Sequence, residues 1–391
     1  MKANVLVVHG GAPTAVINAS LYGVLRESAS SGSIGRVYGA KGGTAGFIAG
    51  DFIDLTALDD EVVERLPFTP ASFIGTSRHP VDPAGYDTMA DVLQANGIGI
   101  VLFNGGNGSM DTCGKLAKAV ARHNLTGSIR IVGIPKTIDN DIAVTDHAPG
   151  FGSAARYLAA SVRELACDVA SLPIHVCIIE SMGRNAGWLT AAASLAGEGV
   201  PPGHGPHLIY VPEAPFDEER FLDEAQALYR RFGGMVVVAS EGLRSADGTP
   251  IVPPIFQTGR SVYYGDVSAH LCNLVVRRLG IKARSEKPGI LGRCSIAHQS
   301  AVDREEAVIA GREAVKAALA GQTSVMVGFK RLSDEPYACE PCLIPIEEVM
   351  LHERTLERSF LSDEGTRISA SFGRWCRPLL GGPFDRLATL G

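Results

Sequence analysis

Apolar residues in this chain fall in short unbroken runs, each closed by glycines or small polar residues and followed by a stretch with helical spacing. "ANVLVV" (Ala3 to Val8) is such a run, and it leads through "HGGAPT" to a segment with Ile17, Leu21, Val24 and Leu25 on one helical face. "IGIVLFN" (Ile98 to Asn104) leads through "GGNGS" to a second stripe of Met110, Cys113, Leu116, Ala117 and Val120. "IRIVGI", "IHVCIIE" (Ile174 to Glu180), "HLIYVPE", "MVVVASE" (Met235 to Glu241) and "TSVMVGF" (Thr323 to Phe329) read as further strands. Alternating buried strands and amphipathic helices predict a mostly parallel sheet with helices on both faces. Ligands of such sheets bind beyond the carboxyl ends of the strands. The polar clusters of this chain fall at those ends.

Composition adds limits. The chain has 391 residues, 46% hydrophobic and 20% charged, which is ordinary globular composition with length for two domains. A net charge of -6 without a basic segment argues against nucleic acid or an anionic membrane as partner. The apolar run at the N-terminus is too short for a signal peptide, and no run reaches the roughly eighteen apolar residues of a membrane span, so a cytoplasmic protein is expected. Cys339 and Cys342 form a C-x-x-C, but no second pair or nearby histidines complete a zinc site, and the eight cysteines read as free thiols. With no repeat and no long linker, two domains would be interleaved along the chain.

The chemistry concentrates in "VGIPKTIDNDIA", Val132 to Ala143. Lys136, Thr137, Asp139 and Asp141 crowd one short loop, and on an extended segment the two aspartates would point the same way and raise each other's pKa. "GGNGS" (Gly105 to Ser109) and "HGG" (His9 to Gly11) are glycine turns between strand and helix, where backbone N–H groups attract phosphate. Neither is a Walker A loop or a G-x-G-x-x-G dinucleotide fingerprint, which disfavours an NAD-dependent dehydrogenase. Arg78, Lys136 and Arg184 lie just beyond apolar runs and suit a polyphosphate. Phosphoryl transfer to an alcohol needs a base for the hydroxyl proton and positive charge on the transferring group, and an aspartate pair can divide those tasks. The plain alternative is an Asp-Asn-Asp turn that satisfies its own backbone.

"GIPKTIDNDI", together with "GGNGS", "MGRNAG", "GTSR" and "RSEKPGILGR", resembles the 6-phosphofructokinase family, which includes ATP-dependent and pyrophosphate-dependent enzymes. The likeness runs from "VLVVHGGAPTAVINAS" to "PLLGG", nearly the whole chain. It implies two similar three-layer Rossmann-like α/β domains with mostly parallel sheets facing a cleft. Residues 1–152 with about 293–345 would take the donor, and 153–292 with about 346–391 the sugar phosphate. It implies Asp139 as base, Thr137 on the phosphoryl group, and Arg78 and Arg184 on developing charge. Gly11, Gly105, Gly106, Gly108, Ser109 and Lys136 would hold the donor. Met182, Gly183, Glu241, Arg284 and Arg293, with Thr137, Asp139 and Arg184, would hold the acceptor, one arginine coming from a neighbouring subunit. Mg²⁺ would sit at Asn107 and Asp141, and the assembly would be a homodimer or homotetramer. A catalytically idle regulator on the same fold is the alternative from another class, and the presence of Thr137, Asp139 and Asp141 speaks against it.

Three departures from the family pattern matter. Asn107 stands where many members carry an aspartate for Mg²⁺. Gly108 stands at the gate where an aspartate marks pyrophosphate users, and its missing side chain favours ATP, although Lys136, "GFGSAA" and "IPIEEV" resemble the pyrophosphate branch. His175, nine residues before Arg184, stands where the family usually has a phosphate-binding arginine, and Ile290 where some members have a histidine; the plain reading is a branch difference or a shifted count, and the sharper one a changed acceptor such as another ketose phosphate.

Overall fold

The computed structural model describes residues 2–388 apart from 202, 259–260 and 363–364. In chain order the strands are β1 (Ala3–His9), β2 (Ile34–Ala40), β3 (Phe52–Asp54), β4 (Ile98–Gly105), β5 (Arg130–Pro135), β6 (Val176–Ser181), β7 (Leu208–Tyr210), β8 (Met235–Ser240), β9 (Pro254–Thr258), β10 (Ser261–Tyr264), β11 (Ala283–Glu286), β12 (Val325–Asp334) and β13 (Tyr337–Pro345). The chain divides into two compact units, Met1–Ser153 with Arg293–Arg354 and Ala154–Gly292 with Thr355–Gly391. Residues 346–354 stay with the first unit, not the second as the sequence suggests, because Ile346 and Val349 pack into the first unit's core.

The first unit holds a seven-stranded sheet in the order β13-β12-β5-β4-β1-β2-β3, parallel at its centre. β3 and β13 pair antiparallel at the two edges. Alternate residues explain the unbroken apolar runs. Val5, Val7, Ile100, Leu102, Val132 and Ile134 pack on one face, and Leu6, Val8, Val101, Phe103 and Ile131 on the other. Helices cover both faces: Asn107–Arg122 contributes Met110, Cys113 and Leu116 to one, while Ile17–Ser30 and Ala301–Leu319 cover the other.

The second unit holds a smaller parallel sheet, β11-β6-β8-β7, and a separate β9–β10 hairpin. Val176, Ile178, Val237 and Ala239 pack there with Phe221, Leu271 and Val275. Trp188 lies 5.0 Å from Trp375 and 5.8 Å from Phe360, so an aromatic cluster ties the C-terminal segment to this unit. The fold is α/β with mostly parallel sheets, as the pattern predicts, but the two sheets differ in size. Among the described residues no helix is long and apolar enough to cross a membrane.

Ile17–Ser30 and Ala301–Leu319 touch backbone to backbone. A Cβ added at Gly23 would lie 2.2 Å from the Val308 oxygen, and one at Gly311 would lie 2.1 Å from the Ser20 oxygen. Even a methyl group therefore forces the helices apart. Gly311→Ala is expected to cost about 2 kcal/mol or more, seen as a lower urea midpoint and a melting temperature reduced by several degrees.

Candidate active site

Three loops at the carboxyl ends of β1, β4 and β5 meet in the first unit. Gly10 N–H donates to the Asn104 oxygen at 2.9 Å, and Lys136 N–H donates to the Gly105 oxygen at 3.0 Å. Gly11, at φ +74°, donates to the Ser77 oxygen at 3.0 Å, while Thr76 Oγ1 donates to the Gly11 oxygen at 2.7 Å. The Ser109 hydroxyl wedges between the turns: a Cβ at Gly10 would lie 2.2 Å from it, and one at Gly105 only 1.9 Å. Both glycines are thus required by close approach. The helix that starts at Asn107 has Gly106 at its N-cap and no side-chain cap, which leaves its first N–H groups to an anion. A Cβ at Gly108 would meet nothing within 4 Å.

Lys136 is buried beneath these loops and donates Nζ to the Ala12 oxygen at 2.7 Å. Burial lowers its pKa to about 8, against the pull of Asp141 and Asp139, with Arg293 and Arg78 lowering it further. Arg293 belongs to this group: its own pKa is lowered by burial and by Arg78, while Asp139 opposes that. His9, at the end of β1, is fully buried, donates or accepts at Ser72 Oγ over 2.7 Å, and is held neutral by burial and by Lys136, its pKa lowered to about 3.

The loop after Lys136 is not extended. Asn140 takes φ +52°, and its Oδ1 accepts from Ala148 N–H at 3.1 Å. Asp141 turns back: Oδ1 accepts from Thr137 Oγ1 at 2.8 Å and Oδ2 from Asn107 Nδ2 at 2.9 Å. Asp139 is half-buried, and its N–H donates to Thr137 Oγ1 at 3.0 Å. The left-handed residue between the aspartates breaks the extended segment on which they would point the same way, although both carboxylates still act on Lys136.

Asn107 and Asp141 fit a hard cation. Asn107 Oδ1 is buried without a hydrogen-bond partner, and it belongs to the amide whose other end holds the Asp141 carboxylate. A carbonyl oxygen beside a carboxylate is the donor set that Mg²⁺ takes. The C-x-x-C does not compete: Cys339 pairs with Arg331 and Cys342 with Gly328 along β13, an odd separation that turns the two side chains to opposite faces.

In the second unit, Met182, Gly183 and Arg184 follow β6, and Glu241 follows β8. Ser240 Oγ donates to the Gly183 oxygen at 2.7 Å, and Glu241 N–H donates to the Ser181 oxygen at 2.9 Å. Gly183 takes φ +113°. Arg184 stacks on Tyr264 with its guanidinium 5.1 Å from the ring centre, and the two line a pocket with Glu241 and Arg244. Burial raises the Glu241 pKa, and Glu180 adds to the rise against Arg184 and Lys287. Tyr264 carries no signal in the sequence because "SVYY" on a short hairpin strand belongs to no motif.

Arg284 does not join this pocket within one chain. It sits on β11 opposite Cys177, at the start of β6, beside the buried His175. Burial lowers the His175 pKa, followed by Arg284 and Lys282. The six residues of β6 put roughly 20 Å between that end and Met182. The nine-residue spacing pairs Arg284 with Arg293, yet Arg293 lies with Arg78 and Asp139 in the first unit.

Comparison with known proteins decides the family. A phosphofructokinase family model matches residues 4–318. The chain belongs to the phosphofructokinase family. It is 37% identical to the pyrophosphate–fructose 6-phosphate 1-phosphotransferase of Xanthomonas campestris pv. campestris, over 97% of this chain and 92% of that protein. It is 32% identical to the sulfofructose kinase of Alkalicoccus urumqiensis, over 88% of each. The crystal structure of a pyrophosphate-dependent phosphofructokinase from Marinobacter aquaeolei superposes with a TM-score of 0.87 at 34% identity, covering 98% of this chain and 94% of that one. This phosphofructokinase is therefore a phosphotransferase acting on a sugar hydroxyl.

The buried ammonium has a measurable signature. Lys136 is expected to lose its proton near pH 8 when folded but only near 10.5 when unfolded, so the unfolded state holds more protons between those values. Wild type should gain stability relative to Lys136→Met as the pH rises through that window, by about 3 kcal/mol in total, as read from urea unfolding.

Proposed function

We propose that this phosphofructokinase moves the terminal phosphoryl group of ATP to the C1 hydroxyl of fructose 6-phosphate, with Asp139 taking the hydroxyl proton. The donor choice rests on the open space at Gly108, where an added Cβ would meet no protein atom within 4 Å. The first unit carries the donor and the base. Gly11, Gly105, Gly106, Gly108 and Ser109 line the donor phosphates, with the uncapped helix start at Asn107 and Gly108 turned to them, and Lys136 supplies a fixed cation beneath. Thr137 and Asp141 form one hydrogen-bonded pair beside the transferring group. Mg²⁺, held by Asn107 and Asp141, neutralises donor charge when bound. Arg78, Arg184 and Arg293 stabilise negative charge that grows during transfer. Met182, Gly183 and Glu241 hold the sugar, and the raised pKa of Glu241 suits a carboxyl that meets hydroxyl groups away from water.

Arg284 is assigned to the acceptor phosphate of a neighbouring copy in a homodimer or homotetramer. What supports this is its place beside His175, a strand's length from the Glu241 pocket.

A second reading has pyrophosphate as donor. The Xanthomonas and Marinobacter relatives carry that donor in their names. Lys136 suits either donor, since an ammonium does not exclude ATP. The acceptor has its own second reading, because the neutral His175 removes a charge from the expected phosphate pocket and one relative is named for sulfofructose.

Asp139→Asn is expected to reduce kcat by roughly 10²–10⁴-fold with little change in either KM. Undiminished turnover would remove Asp139 as base. ATP and pyrophosphate assayed in parallel against fructose 6-phosphate, other ketose phosphates and sulfofructose should give the highest kcat/KM for ATP with fructose 6-phosphate. Product from pyrophosphate alone would overturn the donor, and a better acceptor in the panel would replace fructose 6-phosphate.

A further inference from the structure

The loop that carries Asp139 and Asp141 contains a second left-handed residue. Val144 takes φ +70°, a conformation in which a β-branched side chain is strained. It is the middle of a three-residue turn closed by Thr145 N–H to the Ala143 oxygen at 2.9 Å, the rare and strained hand of that turn. Val144 itself is 59% exposed, so packing of its own side chain does not hold it there.

What does touch this turn is Arg354. Its guanidinium Nη1 donates to the Thr145 oxygen at 2.7 Å and to the Asp146 oxygen at 2.5 Å. Its backbone N–H donates to the Asp141 oxygen at 2.8 Å, and the neighbouring Glu353 forms a β-bridge with Ile142. One residue thus grips the loop at both ends, on the Asp141 carbonyl and just past the strained turn. The far side is fixed independently. Asp146 N–H donates to the Phe329 oxygen at 2.9 Å, and the Asp146 carboxylate pairs with Arg331 at 3.0 Å and with His147 at 2.8 Å.

We infer that Arg354 is a positioning residue for phosphoryl transfer, its guanidinium holding the strained Asp141–Asp146 segment so that Asp139 and Asp141 keep their places. The inference rests on the reading of these aspartates as the reacting loop. A cationic nitrogen that reaches two carbonyls at once suits the task, because charge-assisted hydrogen bonds outweigh neutral ones. Arg354 touches neither substrate in this scheme, so its loss acts on turnover and not on binding. A displacement of about 1 Å at the reacting groups is enough to slow a reaction by about 10²-fold.

The experiment compares Arg354→Ala, Arg354→Lys and wild type in the full chain, with the donor and acceptor that support turnover. The backbone bond to Asp141 survives in every variant, so the side chain alone is tested. Arg354→Ala is expected to lose about 10²-fold in kcat with both KM values within about threefold of wild type, and Arg354→Lys, which keeps a cationic donor on a shorter and unbranched side chain, to lose less. Millimolar guanidinium chloride, far below denaturing concentrations, should restore part of the Arg354→Ala rate and leave wild type unchanged. In an Asp139→Asn background, Arg354→Ala should remove less than about threefold more, since both act through one loop. Unchanged kcat in Arg354→Ala, or a loss that tracks a lowered unfolding midpoint and ignores guanidinium, would overturn the inference. Normal turnover by Asp139→Asn would instead overturn the base assignment, and the kcat loss and guanidinium rescue at Arg354 would still decide the positioning role.

Discussion

A buried ammonium organises the first unit. Lys136 gives up most of its hydration to sit under the strand-end turns, and its Nζ bonds the backbone of the turn that follows β1 while its own N–H bonds the end of β4. Burial of a charge is costly unless it is compensated, and here a carbonyl and two nearby aspartates supply the compensation. One cation therefore ties the loop after β5 to the turn after β1. Gly10 and Gly105 leave room for Ser109 between the turns, and that closeness is what brings the ends of β1, β4 and β5 onto one side chain.

Much of this fold was legible from the pattern of residues, and the parts that were not share a cause. β1, β4, β5, β6 and β8 are buried on both faces through their middles, so the central parts of their sequences are apolar runs. β2, "IGRVYGA", lies next to the short edge strand and is broken by glycines that its neighbours require: a Cβ at Gly39 would meet Ile74 at 2.8 Å. β11, "ARSE", is an edge strand with three exposed residues and no apolar signal at all. The β12–β13 hairpin leaves the core halfway along, and its outer part alternates between half-buried and exposed. Edges face water, and residues that face water do not announce a strand.

The site follows the same division. Residues inside one loop or turn are near each other in the chain, so Lys136, Thr137, Asp139 and Asp141 could be read together. Asn140 escaped because a left-handed φ is a property of the folded loop and not of the letters D-N-D. Arg354 escaped for reasons of distance: it stands 209 positions from Thr145 in sequence, and nothing around it marks a carbonyl as its target. Arg284 and Arg293 show the opposite failure. Their spacing suggests a pair, but one lies on a strand of the second unit and the other in the first, where the chain has crossed over.

Gly108 is the second residue of a sixteen-residue helix, a place where a helix gains from almost any side chain and most from an acidic one near its positive end. The glycine there costs the helix roughly 1 kcal/mol, and its Cβ position is vacant, so packing does not ask for it. Folding is thus indifferent to a side chain at this position. A mutation to aspartate would meet no clash at its Cβ and would be welcomed by the helix, so under the proposed role of Gly108 a change of donor would need a single step, without a destabilised intermediate to cross.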